Sequence, residues 1–446
     1  MVKTREIALD ILLSIEGGKT FSNIALNKLI PEKSERRDES FIRELVYGVV
    51  ENKLLIDSII KDTSNIKLKK IHPAIMEILR IGIYQIGFMD KVPNSAAVNE
   101  SVKLARKRGH RGSVGYVNGT LRNISRNPDI FTSVTDRENP LDYLSIKFSH
   151  PRYLVSQWLD EYGYDFTEEL LAGNNKRPKL NIRVNKLKIS RDQLKFKLED
   201  KGLNCHFGIL SDDCLIIDNP SRITELEEFK KGLFTIQDES SMLVGKVMDP
   251  KEGSLVLDMC SAPGGKATHM AELMNNKGRV IGRDIYSHKL KLIAENVKRL
   301  GIDIIKIENY DALKLDSDLI NMVDYCLVDA PCTGFGLIRR KPEIKWNRNK
   351  EDIKNLVSLQ YRILNTAKNY VKDGGTLLYS TCTISRSENI SIVEKFLANN
   401  ENFQLEEISG IHEKFDVFNT FQKGFLQLYP HIHGTDGFFI AKMKKI

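Results

Sequence analysis

From residue 236 to the C terminus, short apolar runs alternate with amphipathic stretches, and acids or thiols stand just past the runs. Residues 254–258, 279–284, 304–307, 325–329 and 375–380 read as buried strands. Residues 266–274, 288–300 and 353–371 read as helices between them. That alternation dictates a parallel sheet with helices on both faces. A sheet of this kind binds its ligand beyond the carboxyl ends of its strands. The residues that follow each run are therefore the candidates for chemistry.

The first such loop is Asp258-Met259-Cys260-Ser261-Ala262-Pro263-Gly264-Gly265-Lys266. Gly264 and Gly265 let backbone N–H groups approach a ligand closely, and the helix that follows turns its positive end toward that ligand. Asp284 ends the next run, about 20 residues after the glycines, where an acid can hold ribose hydroxyls. A phosphate-binding P-loop is excluded, because it needs Gly at Cys260 and Ser or Thr at Ala267. The G-x-G-x-x-G nicotinamide fingerprint is also absent. A ribose acid without a phosphate cradle points to S-adenosylmethionine. Asp311 and Asp329, each past a strand, complete the expected cofactor set of Cys260, Ser261, Ala262, Pro263, Gly264, Gly265, Lys266, Asp284, Asp311 and Asp329.

Six cysteines are present, at 205, 214, 260, 326, 332 and 382. They form no C-x-x-C pair, so no metal site is expected, and reduced cytoplasmic thiols are. A free cysteine is usually a small buried hydrophobe, and Cys326 inside a strand fits that. Cys332 in Asp329-Ala330-Pro331-Cys332 and Cys382 in Ser380-Thr381-Cys382 each lie just past a strand. A methyl donor and a thiol belong together when the target is carbon 5 of a pyrimidine, a poor nucleophile. Thiolate addition at carbon 6 activates carbon 5, and a second group must then assist release. An acid near N3, for which Asp329 is placed, stabilises the charge that develops. Arg339, Arg340 and Lys341 are candidate cations for lowering a thiol pKa.

Upstream, residues 1–130 read as a helical bundle. Ile7, Ala8, Ile11, Leu12 and Ile15 make one stripe. Ile42, Leu45, Val46, Val49 and Val50 make a second that continues through Leu54, Leu55 and Ile59. Pro73 opens a further helix, and Asn94 or Ser95 can cap another. Residues 131–145 read as a linker, and 146–235 as a small α+β, RRM-like unit with strands at 181–185, 214–217 and 233–236. Residues 236–446 form the α/β, Rossmann-like unit.

Two stretches resemble known families. Asn94-Ser95-Ala96-Ala97-Val98-Asn99-Glu100, with Tyr116-Val117-Asn118-Gly119-Thr120-Leu121-Arg122, resembles the RNA-binding fold of the antitermination factor NusB. That likeness implies an RNA-facing role for the basic run 106–111, which by itself would read as a solvated loop. The cofactor loop, Asp329-Ala330-Pro331-Cys332-Thr333-Gly334, Arg339-Arg340-Lys341-Pro342-Glu343-Ile344-Lys345-Trp346 and Ser380-Thr381-Cys382-Thr383 resemble the RsmB/NOP family of RNA cytosine-C5 methyltransferases. Glu388-Asn389 and Asp436-Gly437-Phe438-Phe439 fit the same pattern. The resemblance implies that Cys382 is the nucleophile and that Cys332 assists product release. With the NusB-like front, it implies 16S ribosomal RNA as substrate. Transfer RNA, DNA, or a non-catalytic role in ribosome assembly are the rival readings.

Lys and Arg exceed Asp and Glu by 67 to 59, which permits a polyanionic partner. No run of 18 apolar residues occurs, so a cytoplasmic protein without membrane attachment is expected, acting as a monomer.

Overall fold

The computed structural model describes residues 2–16, 20–31, 33–133, 139–218 and 222–446. The chain forms two compact units that do not follow chain order. One comprises residues 1–176 with 338–347, and the other residues 177–337 with 348–446.

The first unit is helical. Its centre is the helix Pro73–Phe88, in which every residue from Ala74 to Gln85 is buried. A helix apolar on nearly all sides must sit inside its bundle. Pro73 occupies the first turn, and His72 accepts the Ala74 N–H at 3.3 Å. Around it pack Val2–Glu16, Arg36–Glu51, Asn94–Arg108 and Arg111–Arg126. The stripe expected to run on from Ile42 to Ile59 breaks at Asn52, whose side chain donates to Gly48 O at 2.9 Å, and a new helix starts at Lys53. The helix at Asn94 is preceded by Pro93, so neither Asn94 nor Ser95 caps it.

Of the expected linker 131–145, residues 134–138 lie outside the described residues, and Ile130–Ser133 and Pro140–Lys147 are helical. By compactness the helices Pro140–Lys147, Arg152–Tyr162 and Tyr164–Asn174 group with the helical unit. Leu54 N donates to Ser149 Oγ at 2.8 Å, a contact between residues far apart in sequence that no local pattern signals.

Residues 338–347 are an inserted anchor within this helical unit. The buried Glu343 carboxylate accepts the N–H and hydroxyl of Ser22 at 2.9 and 2.7 Å, satisfying the start of the helix Ser22–Leu29. Trp346 Nε1 donates to Val50 O at 3.0 Å, and Lys345 Nζ to Glu51 O at 2.9 Å. Burial pushes the Lys345 ammonium down to about 7.

The second unit holds two sheets. The smaller has the order β2-β3-β1-β4, built from β1 (Leu180–Val184), β2 (Cys205–Phe207), β3 (Cys214–Ile217) and β4 (Phe234–Ile236), all antiparallel. One face packs Ile182 and Val184 against Leu194 and Leu198 of the helix Arg191–Asp200, which Ser190 caps with a reciprocal bond to Gln193. The other face is not open, as an RRM-like surface would be. Arg183 binds Glu272, Asn185 donates to Leu300 O at 2.9 Å, and Asp213 meets His269 at 3.0 Å.

The larger sheet runs β10-β12-β9-β8-β5-β6-β7, with β11 paired to β12. Its strands are β5 (Leu255–Asp258), β6 (Arg279–Asp284), β7 (Ile305–Asn309), β8 (Val323–Asp329), β9 (Val371–Thr381), β10 (Phe403–Leu405), β11 (Phe425–Leu428) and β12 (Phe438–Lys445). β5 to β9 are parallel. The sheet is mixed, not wholly parallel, because β12 runs antiparallel to β9, β10 and β11. β12 starts a few residues after β11, and a short connection can join only antiparallel neighbours. The strand order reverses between β5 and β8, which opens the ligand crevice at that edge.

Candidate active site

Every strand from β5 to β9 delivers its functional side chain at this one edge. Asp258 ends β5, Asp284 ends β6, Asp311 follows β7, Asp329 ends β8 and Cys382 follows β9. In the β8–β9 ladder Asp329 lies opposite Ser380. The loops leaving those strands therefore start at the same level. Cys332 Sγ and Cys382 Sγ lie 3.2 Å apart, both as free thiols and both partly exposed.

Asp329 is held from two sides. Its Oδ1 accepts the Ser380 hydroxyl at 2.8 Å, and its Oδ2 accepts Lys266 Nζ at 2.6 Å. Lys266 also lies 5.3 Å from the centre of the Phe438 ring. Burial alone would lower the Lys266 ammonium, but Asp329 and then Cys382 outweigh it and hold it above the usual lysine value. Arg339, Arg340 and Lys341, the cations expected beside the thiols, lie in the segment that belongs to the helical unit. In the unit that carries the strand-end acids, Lys266 is a cation whose own charge Cys382 helps to hold.

The two thiols are not equivalent. The hydrogen bond to Cys382, followed by burial, pushes the Cys332 thiol well above its ordinary value. Cys332 thus keeps its proton while a negative charge rests on its neighbour.

Glu388 ties the two loops together, a role invisible in the sequence beyond the family-like Glu388-Asn389 pair. Its Oε1 accepts Thr333 N at 2.9 Å and Gln360 Nε2 at 3.0 Å, and its Oε2 accepts the hydroxyls of Thr333 at 2.6 Å and Thr383 at 3.2 Å. Thr333 follows Cys332 and Thr383 follows Cys382, so one buried carboxylate fixes both thiol loops. Glu388→Ala should lower the stability of this unit by about 3 kcal/mol, because buried donors lose their acceptor. A fall in the urea midpoint of that unit, with the helical unit unaffected, checks this.

The cofactor loop fits a ligand that brings donors and no phosphate. Both oxygens of Asp258 and the Ser261 hydroxyl are buried without a partner. Burial and then the nearby Asp329 push the Asp258 carboxyl up to about 7. A ligand ammonium or hydroxyl supplies the partners these groups lack. Gly264 sits at φ +94°, a conformation that favours glycine, where a Cβ would lie 3.1 Å from Ile293 Cγ2, and a Cβ on Gly282 would lie 3.0 Å from Ser261 Oγ, so Gly282 keeps the loop close to β6. Pro263 O accepts Asn296 Nδ2 at 3.0 Å, and Ser261 N donates to Arg283 O at 2.7 Å. Asp284 accepts Tyr286 N at 2.9 Å and Asp311 accepts Leu313 N at 3.0 Å, which orients both carboxylates. Cys260 is pushed well above the ordinary thiol value, first by burial and then by Asp258, so it lines the loop as a neutral thiol.

A doubly wound sheet with this loop, its strand-end acids and the unpartnered donor-seeking groups defines an S-adenosylmethionine-dependent methyltransferase. Residues 245–444 match the family described as 16S rRNA methyltransferase RsmB/F, residues 2–126 the NusB family, and residues 150–224 the ferredoxin-like domain of RsmF/B-like methyltransferases. The chain is 40% identical to the probable ribosomal RNA small subunit methyltransferase B of Bacillus subtilis, covering 99% of this chain and 98% of that one. It is 33% identical to the protein of the same name from Synechocystis, over 100% of both. The chain belongs to the RsmB/F methyltransferase family. Among solved structures, that of PH0851 covers 99% of each chain at 29% identity with a TM-score of 0.82. NSun6 from Pyrococcus horikoshii with SFG covers 66% of this chain and 98% of its own, at 27% identity and a TM-score of 0.60.

Proposed function

We propose that this protein methylates carbon 5 of a cytosine in 16S ribosomal RNA, with Cys382 as nucleophile, Cys332 as the group that assists release, and a single chain as the working unit. The observation that carries the reading is the thiol pair 3.2 Å apart beside the Lys266–Asp329 ion pair. The family's ribosomal RNA relatives and the NusB match at the front favour ribosomal RNA over transfer RNA.

The Cys382 thiolate adds to carbon 6, with the Lys266 ammonium beside it. Asp329, oriented by Ser380 and Lys266, takes up a proton before the addition and gives it to N3 as charge develops on the ring. Bound S-adenosylmethionine supplies an electrophilic methyl group for the activated carbon 5. Cys332 stays protonated while Cys382 carries charge. Once Cys382 is bonded to carbon its charge is consumed; Cys332 then gives its proton to solvent and, as the thiolate, takes the carbon 5 proton while the carbon 6–sulfur bond breaks and Cys382 leaves as thiolate. The cytosine must leave its stack to reach this edge, at about a few kcal/mol.

The test is to incubate the protein with unmethylated ribosomal RNA or transfer RNA and cofactor, then map modified cytosines by bisulfite sequencing. A single protected cytosine in 16S RNA is expected. Protection only in transfer RNA, or none in either, would overturn the reading.

A further inference from the structure

Arg183 lies in the ferredoxin-like sheet, on the face of β1 turned away from its own helix, and is fully buried. A guanidinium carries five N–H donors in a rigid fork, and here all five have acceptors. Nε and Nη2 reach the two oxygens of Glu272 at 3.1 and 2.8 Å. Nη2 also donates to Thr268 Oγ1 at 3.0 Å, and Nη1 to Gly265 O at 2.5 Å and to the Gln237 side chain. Gly265, Thr268 and Glu272 all belong to the helix Gly265–Leu273, whose first residues are the end of the cofactor loop. Thr268 extends the grip, since its hydroxyl donates to Gly264 O at 2.7 Å. The residue after Gly265 is Lys266, which pairs with Asp329 and whose charge Cys382 helps to hold.

We propose that Arg183 is a positioning residue for methyl transfer, through which the ferredoxin-like sheet holds Gly264, Gly265 and Lys266 in register with Asp329 and Cys382. The small domain is then part of the active site's frame and not solely a surface for RNA. The cofactor half of this inference follows from the fold, and the Lys266 half rests on the cysteine mechanism proposed above. Lysine cannot replace this arginine, because an ammonium has three donors and no planar fork.

The test uses the full chain carrying Arg183→Lys or Arg183→Met, with S-adenosylhomocysteine as the binding probe and the RNA methylated by the wild type as substrate. Both variants should bind the probe about tenfold more weakly, the worth of one charged hydrogen bond. They should lose about 100-fold in kcat, as misplacement by an ångström does, with KM for RNA little changed. A purely structural role would lower the melting temperature and leave probe affinity and kcat of the folded protein as in the wild type, and that result overturns the proposal. Thr268→Val keeps the Arg183–Glu272 pair and removes only the hydroxyl link. If the arginine variants do not fold, this one should still weaken probe binding and slow turnover, and wild-type values for it overturn the proposal equally. Probe affinity does not depend on how the cytosine is attacked. Failure of the cysteine mechanism would therefore show as a missing covalent adduct with Cys332→Ala, with the Arg183 effect on binding intact.

Discussion

Cys332→Ala should accumulate a covalent RNA–protein adduct that survives denaturing electrophoresis, while Cys382→Ala should form none and lose activity by about 10⁴-fold or more. The expectation follows from the asymmetry of the pair. A thiol that keeps its proton because it hydrogen-bonds its neighbour is the poorer nucleophile, so attack falls to Cys382. Without Cys332, nothing at the site removes the carbon 5 proton, and Cys382 stays bonded to carbon 6. Gel-shifted protein labelled from radioactive RNA is the readout. An adduct with Cys382→Ala and none with Cys332→Ala would reverse the two roles. Equal activity of both variants would remove thiol chemistry altogether.

Lys266→Met should lower kcat by about 100- to 1000-fold at neutral pH. Lys266 is the positive partner of Asp329, and Cys382 is among the groups that hold its ammonium charged. Its ammonium is held above the usual lysine value, so it stays charged through the working range. Removing it takes the positive charge from beside Asp329, the side chain proposed to face the reacting ring. It also leaves Asp329 with one acceptor oxygen unpaired, near an Asp258 already pushed to about 7. Steady-state rates from pH 6 to 10 check this. Rates within about threefold of the wild type would mean that the Lys266–Asp329 pair has no part in the chemistry.

These two variants differ in how far the sequence could foresee them. Cys332 and Cys382 were legible because each follows an apolar run, and the pleated strand plus its loop is a local pattern. Lys266 was legible only as part of the cofactor loop. Its salt bridge joins residues on β8 and on the helix after β5, and no local pattern reports a pairing across the sheet. The same holds for Glu388, which bridges Thr333 and Thr383, and for Arg183, which crosses from one sheet to a helix of the other. The C-terminal strands were missed for a related reason. β10 and β11 are three and four residues long, too short for a period to emerge, and gain their strand character by pairing with β12.

What the sequence by itself determined is the run of strands and helices from 254 onward, the loop from Asp258 to Lys266 and the set of acids and thiols at strand ends. Each depends on spacing within one element or one turn, which neighbouring residues impose. Only the tertiary structure decided that residues 338–347 pack into the helical unit, that the small sheet has no open face, and that Glu388 and Arg183 frame the site. Those outcomes depend on which buried donors find which acceptors across long sequence distances. Burial makes an unpaired polar group costly, so each such group is fixed by a partner that its own stretch of sequence does not contain.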